Sequence, residues 1–207
     1  MTVVSNGTNL IDNGALDAAV PSGSLILLST QTASASASIS FTSGIDSTYD
    51  SYMFKFINIH PGTDWNNWFA FQVSINGGTS YGISATTSTY RAYHNEADSQ
   101  SGLDYLPSPD YSQTSSTGFI RLCEDTSSAN ADENLSGVLQ IYNMASTTQK
   151  KHFLASSNSN TTKVGQNYCL NWYGGGYFDT TSDLDAIQFK MNSGNIDAGI
   201  IKMYGVK

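Results

Sequence analysis

Charged residues are scarce in this sequence: nine Lys and Arg stand against seventeen Asp and Glu in 207 residues, a formal net charge of −8 with histidine neutral. A chain this acidic repels phosphate backbones and anionic lipid, and no local basic patch offsets it, so no nucleic-acid partner is expected. Long apolar runs are missing as well. The run Leu25 to Leu28 is far shorter than the roughly 20 residues a membrane-spanning helix needs, so no membrane insertion is expected. Met1 to Leu10 contains no Lys or Arg, and no cleaved export signal is read there. Two cysteines, Cys123 and Cys169, and three dispersed histidines, His60, His94 and His152, are too few and too scattered to read as a zinc site. For the cysteines, two buried thiols and a single disulfide both remain open. No apolar stripe at helical spacing lasts three turns, which predicts little helix. Also absent is a glycine-rich loop ending in Lys-Ser/Thr or opening a helix, and no nucleotide cofactor is expected.

What is abundant is small and neutral-polar: 30 serines, 20 threonines, 17 asparagines and 18 glycines. With 39% hydrophobic residues, including twelve Tyr, nine Phe and three Trp, the chain still has enough apolar area for a core. Period-two alternation recurs from Ser24 onward, at Ser24 to Thr30, Ala33 to Phe41, Ser51 to His60 and Phe69 to Ile75. Asn76-Gly77-Gly78 then reads as a tight hairpin with a return strand near Tyr81. Further strands are read at Thr89 to Tyr93, Gly118 to Cys123, Leu135 to Asn143, Lys150 to Ser156, Gln166 to Tyr173, Ala186 to Met191 and Gly199 to Gly205. Residues 94–116 read as a long Ser-, Asp- and Pro-rich loop, and Gly174-Gly175-Gly176 as a flexible turn. The fold class expected is all-β: an antiparallel two-sheet β-sandwich, jelly-roll-like, with about ten to twelve strands. Residues 1–23 read as an extended N-terminal arm or linker, and 24–207 as one domain. The Ala-Ser alternation after Gln31 places small side chains on one face, which suits an edge strand or a close contact with a neighbouring chain.

Catalytic constellations are hard to assemble from this chain. Gly78-Thr79-Ser80-Tyr81-Gly82 matches the nucleophile-elbow pattern, but it sits between strands with no helix following and no histidine nearby in sequence. Asp179, Asp183 and Asp185 cluster with hydroxyl residues in one segment, an oxygen-rich set of the kind calcium takes, but the spacing is not that of an EF-hand and the segment reads as a solvated turn. No catalytic, cofactor or metal residue is assigned, and the chain is read as a non-enzyme.

Aromatic residues between polar neighbours are the positive signal, because a large ring outside an apolar strand needs local packing or a ligand. Trp65 and Trp68 lie in Asp64-Trp65-Asn66-Asn67-Trp68. Tyr105 and Tyr111 flank Pro107 and Pro109, and Trp172, Tyr173 and Tyr177 surround the triple glycine. Such rings suit stacking on sugar faces, but the favoured reading is that they cap the sandwich ends or fill a subunit interface.

Several strings together resemble a known group. They are Ile45-Asp46-Ser47-Thr48-Tyr49-Asp50-Ser51-Tyr52, Phe56-Ile57-Asn58-Ile59-His60-Pro61, Phe71-Gln72-Val73-Ser74-Ile75-Asn76-Gly77-Gly78, and the stretch from Ala186 to Gly199. They resemble small virion structural proteins of tailed bacteriophages of aquatic bacteria, over about Ser24 to Val206. The resemblance implies a non-enzymatic component of the particle, of tail-fibre, baseplate or head-decoration type, made in the host cytoplasm and located in the virion. It also implies other virion proteins as partners, a homo-oligomer with a trimer as the first expectation, and a host-surface glycan as a further partner. A free carbohydrate-binding module and a polysaccharide-degrading hydrolase are the competing readings.

Overall fold

Alternating strands bury their apolar side only if a second layer covers it, and two sheets of unequal size do this for one another. The computed structural model describes residues 3–5, 8–12, 15–16, 24–63, 67–111, 118–124, 126, 130–163 and 165–207. Within the segment read as an arm, β1 (Val3–Ser5), β2 (Thr8–Asp12) and β3 (Ala15–Leu16) pair as a small antiparallel meander. The chain continues through β4 (Leu25–Ser36), β5 (Ile39–Phe41), β6 (Ser51–Pro61), β7 (Phe69–Ser74), β8 (Ala85–Asn95), β9 (Ser101–Tyr105) and β10 (Ile120–Arg121). It ends with β11 (Leu135–Tyr142), β12 (Lys151–Lys163), β13 (Gln166–Phe178), β14 (Ala186–Met191) and β15 (Ile196–Val206). Eight strands form one sheet in the order β4-β15-β6-β11-β12-β13-β8-β9, and four form the other in the order β10-β7-β14-β5. The result is an all-β, antiparallel two-sheet sandwich, and no described residue is helical.

Aromatic rings join the layers. Phe189 on β14 stacks on Phe69 with centroids 5.7 Å apart and meets Phe54 of the larger sheet at 5.6 Å. Phe71 meets Phe153 edge-on at 5.3 Å, and Phe56 meets Phe69 at 5.4 Å. All six rings are at most 2% exposed. Burying a Phe contributes about 1.5–3 kcal/mol, and edge-to-face pairs add to that.

The structure corrects several readings of the sequence. The hairpin expected after Ile75 does not form, because both edges of β7 are occupied by β10 and β14. Gly77 and Gly78, at φ 68° and 81°, do make the turn, but the chain then crosses over and β8 joins the larger sheet. The expected strand Ala33 to Phe41 is divided: β4 runs through Ser36 in the larger sheet, and β5 lies in the smaller one. The expected 94–116 loop is interrupted by strand, since β8 extends to Asn95 and β9 (Ser101–Tyr105) returns beside it; residues 112–117 lie outside the described set. The triple glycine is no turn but the middle of β13, which pairs along its length with β12 and β8. Cys123 is buried and Cys169 is exposed, with no disulfide between them, so the disulfide alternative falls away and of the two thiols expected to be buried only Cys123 is.

Lys151 breaks the apolar pattern of the inner face. Its residue is fully buried, and its Nζ donates a 2.5 Å hydrogen bond to the Ser182 carbonyl. Desolvation pushes its pKa below the usual 10.5, with Asp183 opposing weakly. The unfolded chain therefore holds this proton to higher pH than the folded one, so stability rises with pH between the depressed value and 10.5. Lys151→Met is expected to flatten that rise, measured as the difference between the variant and parent urea midpoints as pH climbs toward 10.5.

Candidate functional site

Strand parity sends alternate residues of β13 to opposite faces of the larger sheet. Trp172 and Phe178 point inward and are 2% and 0% exposed, while Tyr173, Gly175 and Tyr177 face out. Register extends this alternation into rows across the outer face. In one row Tyr105 of β9 lies beside Tyr90 of β8, which lies beside Tyr173. The next runs from Ser88 through Gly175, Leu154 and Gln140 to Met53. A third places Tyr177 beside His152.

Tyr90 and Tyr173 stack on each other with centroids 4.9 Å apart and planes 15° from parallel, and 47% and 38% of their surfaces stay exposed. They stand as a wall. Tyr177 and His152, at 5.8 Å, form a second rim four residues along β13, about 13 Å away. Between the rims Gly175 contributes no side chain, so the sheet surface dips. Leu154, 60% exposed, leans over the glycine. One hollow of about 490 Å³ lies against Tyr90, Tyr173, Leu154, Gln140 and Met53. A second of about 530 Å³ shares Tyr142, Leu154 and Gly175 with it and reaches Tyr177, His152 and Thr86. A third of about 360 Å³ continues past Tyr142 to Asn143, Gln149 and Lys150.

The residues singled out in the sequence divide among different places. Tyr105, Tyr173 and Tyr177 share this outer face, with the Tyr105 hydroxyl donating to Asp110, a carboxylate that pushes its pKa up. Trp172 is on the opposite face, sealed in, and its Nε1 has no hydrogen-bond partner among the described residues. Tyr111 packs against the core, its hydroxyl donating to the Phe119 carbonyl at 2.6 Å. Trp68 packs against the core as well and carries the Arg121 guanidinium 3.7 Å from its ring centroid. Trp65 lies outside the described residues. The sequence reading missed Tyr90, Tyr142 and Leu154. Each is one large residue in an alternating strand, and only cross-strand register reveals that they are neighbours.

The other candidates resolve into local structure. Ser80 takes part in the turn, its amide and hydroxyl both bonded to the Asn76 side chain. His60 lies near Asp197, His94 pairs with Asp98, and His152 faces Tyr177, so no two histidines meet. Asp179 pairs with Lys150 at 2.6 Å, and Asp185 accepts from the Gly77 amide at 2.8 Å. Among the described residues no three His, Cys, Asp or Glu converge as a metal site would require.

The glycines separate the shape of this face from the fold beneath it. A Cβ on Gly175 would meet Leu154 Cδ2 at 3.1 Å, a side chain free to swing away, whereas one on Gly176 would press into the Thr86 backbone carbonyl. Gly175→Ala is expected to change stability by less than about 1 kcal/mol and Gly176→Ala to cost several times that, measured by denaturant midpoints. Comparison with protein-family models, curated proteins and solved structures finds no match for this chain, so the reading of this face rests on its own chemistry.

Proposed function

We propose that this chain is a non-enzymatic structural protein of a bacteriophage particle, a tail-fibre, baseplate or head-decoration component. It assembles with like or neighbouring subunits and presents its outer sheet face to the host surface. The observation that carries the reading is the β4 edge. Among the described residues β4 pairs with β15 on one side only, so along its twelve residues the other edge offers backbone N–H and C=O groups to a further strand. Soluble proteins usually blunt such an edge with lysine, proline or a short strand. Leu25–Ser36 contains neither charge nor proline, and Leu25 and Leu27 are 42% and 52% exposed. An edge of this kind suits a strand supplied by an assembly partner. The resemblance of the Ile45–Tyr52, Phe71–Gly78 and Ala186–Gly199 strings to phage virion proteins supplies the particle as the setting, with other virion proteins as partners and the virion as the location.

Light scattering on the full chain is expected to give a trimer or larger assembly. Thr32→Lys with Ser34→Lys puts two charges on exposed positions of the edge and is expected to reduce the mass to that of one chain, with stability changed by about 0.5 kcal/mol or less per site. A parent protein that is monomeric at every concentration would count against self-assembly. If that monomer bound sugar, it would be read as a free carbohydrate-binding module.

A further inference from the structure

Beyond its aromatic end, the Tyr105–Tyr90–Tyr173 row continues through Ser156 and Val138 to Lys55 on β6 and Lys202 on β15. Lys55 and Lys202 are direct cross-strand partners, and like charges placed opposite one another destabilise a sheet. Neither ammonium has an ion pair among the described residues; Lys55 lies 5.3 Å from the centre of the Tyr204 ring, a contact that leaves its charge in place. Lys150, at the far end of the hollows, is neutralised by Asp179 and is not part of this pair. The arrangement is against the trend of the molecule. Of seventeen acidic residues, none stands in the three outer-face rows described above, although the chain carries −8 overall.

We propose that this face binds an acidic oligosaccharide, a chain of uronate-type sugars. Its carboxylate sits against Lys55 and Lys202, and a sugar ring packs on the Tyr90–Tyr173 wall, with the chain lying in the hollow over Gly175 and Leu154. The dimensions agree: β11 and β12 separate Lys55 from Tyr173, which places them about 14 Å apart at strand spacing. Each part answers to one property of such a ligand. Tyrosine faces attract the C–H face of a pyranose ring, and Ser88, Ser156 and Gln140 offer hydroxyl and amide groups to its hydroxyls. The lysine pair supplies cation to its carboxylate, and a bound anion would offset the repulsion between them. The net negative charge of the protein opposes any polyanion, but most strongly duplex nucleic acid with one charge per about 1.7 Å of axis, and less a uronate chain with its single carboxylate per ring. The proposal rests on the reading of this face as the host-contacting surface and names what it contacts.

The test is calorimetric titration of the full chain with oligogalacturonate, oligoglucuronate and oligomannuronate, beside a neutral gluco-oligosaccharide of the same length. At least one uronate is expected to bind more tightly than the neutral sugar, with affinity falling as salt is raised. Lys55→Gln with Lys202→Gln is expected to weaken uronate binding on the order of tenfold, the scale of two exposed charge pairs. The same variant should leave neutral-sugar binding unaltered and the unfolding midpoint unchanged or raised, since a repulsive pair has been removed. Tyr173→Ala is expected to weaken both classes of sugar by roughly fivefold or more. No binding of any uronate, equal binding of the neutral sugar, or uronate binding indifferent to the lysine variant would each overturn the proposal. Repeating the titration on the Thr32→Lys, Ser34→Lys chain separates the two readings: sugar bound by a chain that does not assemble leaves this site standing, while the light-scattering mass alone decides assembly.

Discussion

A four-stranded sheet cannot cover an eight-stranded one, and most of the surface chemistry of this protein follows from that mismatch. The Phe189-centred rings clamp β7 and β14 onto the inner face of the larger sheet, where Phe54, Phe56 and Phe153 receive them. Where the smaller sheet gives out, the inner face turns polar. Thr87, Thr89, Ser157, Ser159 and Thr161 are all buried there, and the Ser157 hydroxyl, for example, donates to the Leu122 carbonyl at 2.5 Å. The abundant Ser and Thr of this sequence therefore have two places in the structure: the solvated surface, and buried positions on the inner face, where Ser157 and Ser159 stand beside Trp172 and Leu170.

Among the described residues no further layer covers the outer face of the larger sheet. Its side chains do not need to be apolar for the fold, so the large residues present there, Tyr90, Tyr173, Tyr142 and Leu154, are not explained by core packing. An exposed Leu by itself asks for no explanation, but a run of rings and an aliphatic side chain around one side-chain-free glycine is a contiguous surface with a shape. The glycines beneath differ in purpose. Gly176 is required because the β8 backbone approaches from the inner side, and Gly175 is tolerated by the fold and decides the depth of the hollow.

The fold class was legible in the sequence because period-two alternation is local, and the inner residues Phe69, Phe71, Ile187 and Phe189 could be read directly from it. Sheet membership was not legible. The turn at Gly77 and Gly78 has the composition of a hairpin, yet its two flanking strands lie in different sheets, since β7 already had both edges paired by segments distant in sequence. The same limit governed the site. Tyr173 and Tyr177 stand out beside the triple glycine by composition, and Trp172, adjacent in sequence and the larger ring, is grouped with them on that same proximity; yet it lies in the expected strand Gln166 to Tyr173, where parity sends it to the opposite face from Tyr173. Tyr90 becomes a neighbour of Tyr173, and Lys55 falls in the same cross-strand row, through registers spanning dozens of residues, which no local pattern encodes.

Charge placement ties the edge to the face. A strand edge that invites pairing must be free of like charge, because two copies or two subunits bring the same residues together, and Leu25–Ser36 meets that condition with small hydroxyl side chains. Lys202 lies one strand in from that edge, opposite Thr30, and Lys55 one strand further. A second copy joined through its own β4 would extend the sheet and with it the outer face as a two-fold pair, a building unit of the larger assembly, setting the Lys202 positions of the two lysine pairs about 14 Å apart across the seam at strand spacing. Repulsion between the two pairs would oppose that junction unless anions were bound, whereas an acidic polymer lying across the seam would favour it. Ligand and assembly would then each strengthen the other by the same factor, as linkage requires of two equilibria that share one electrostatic contact.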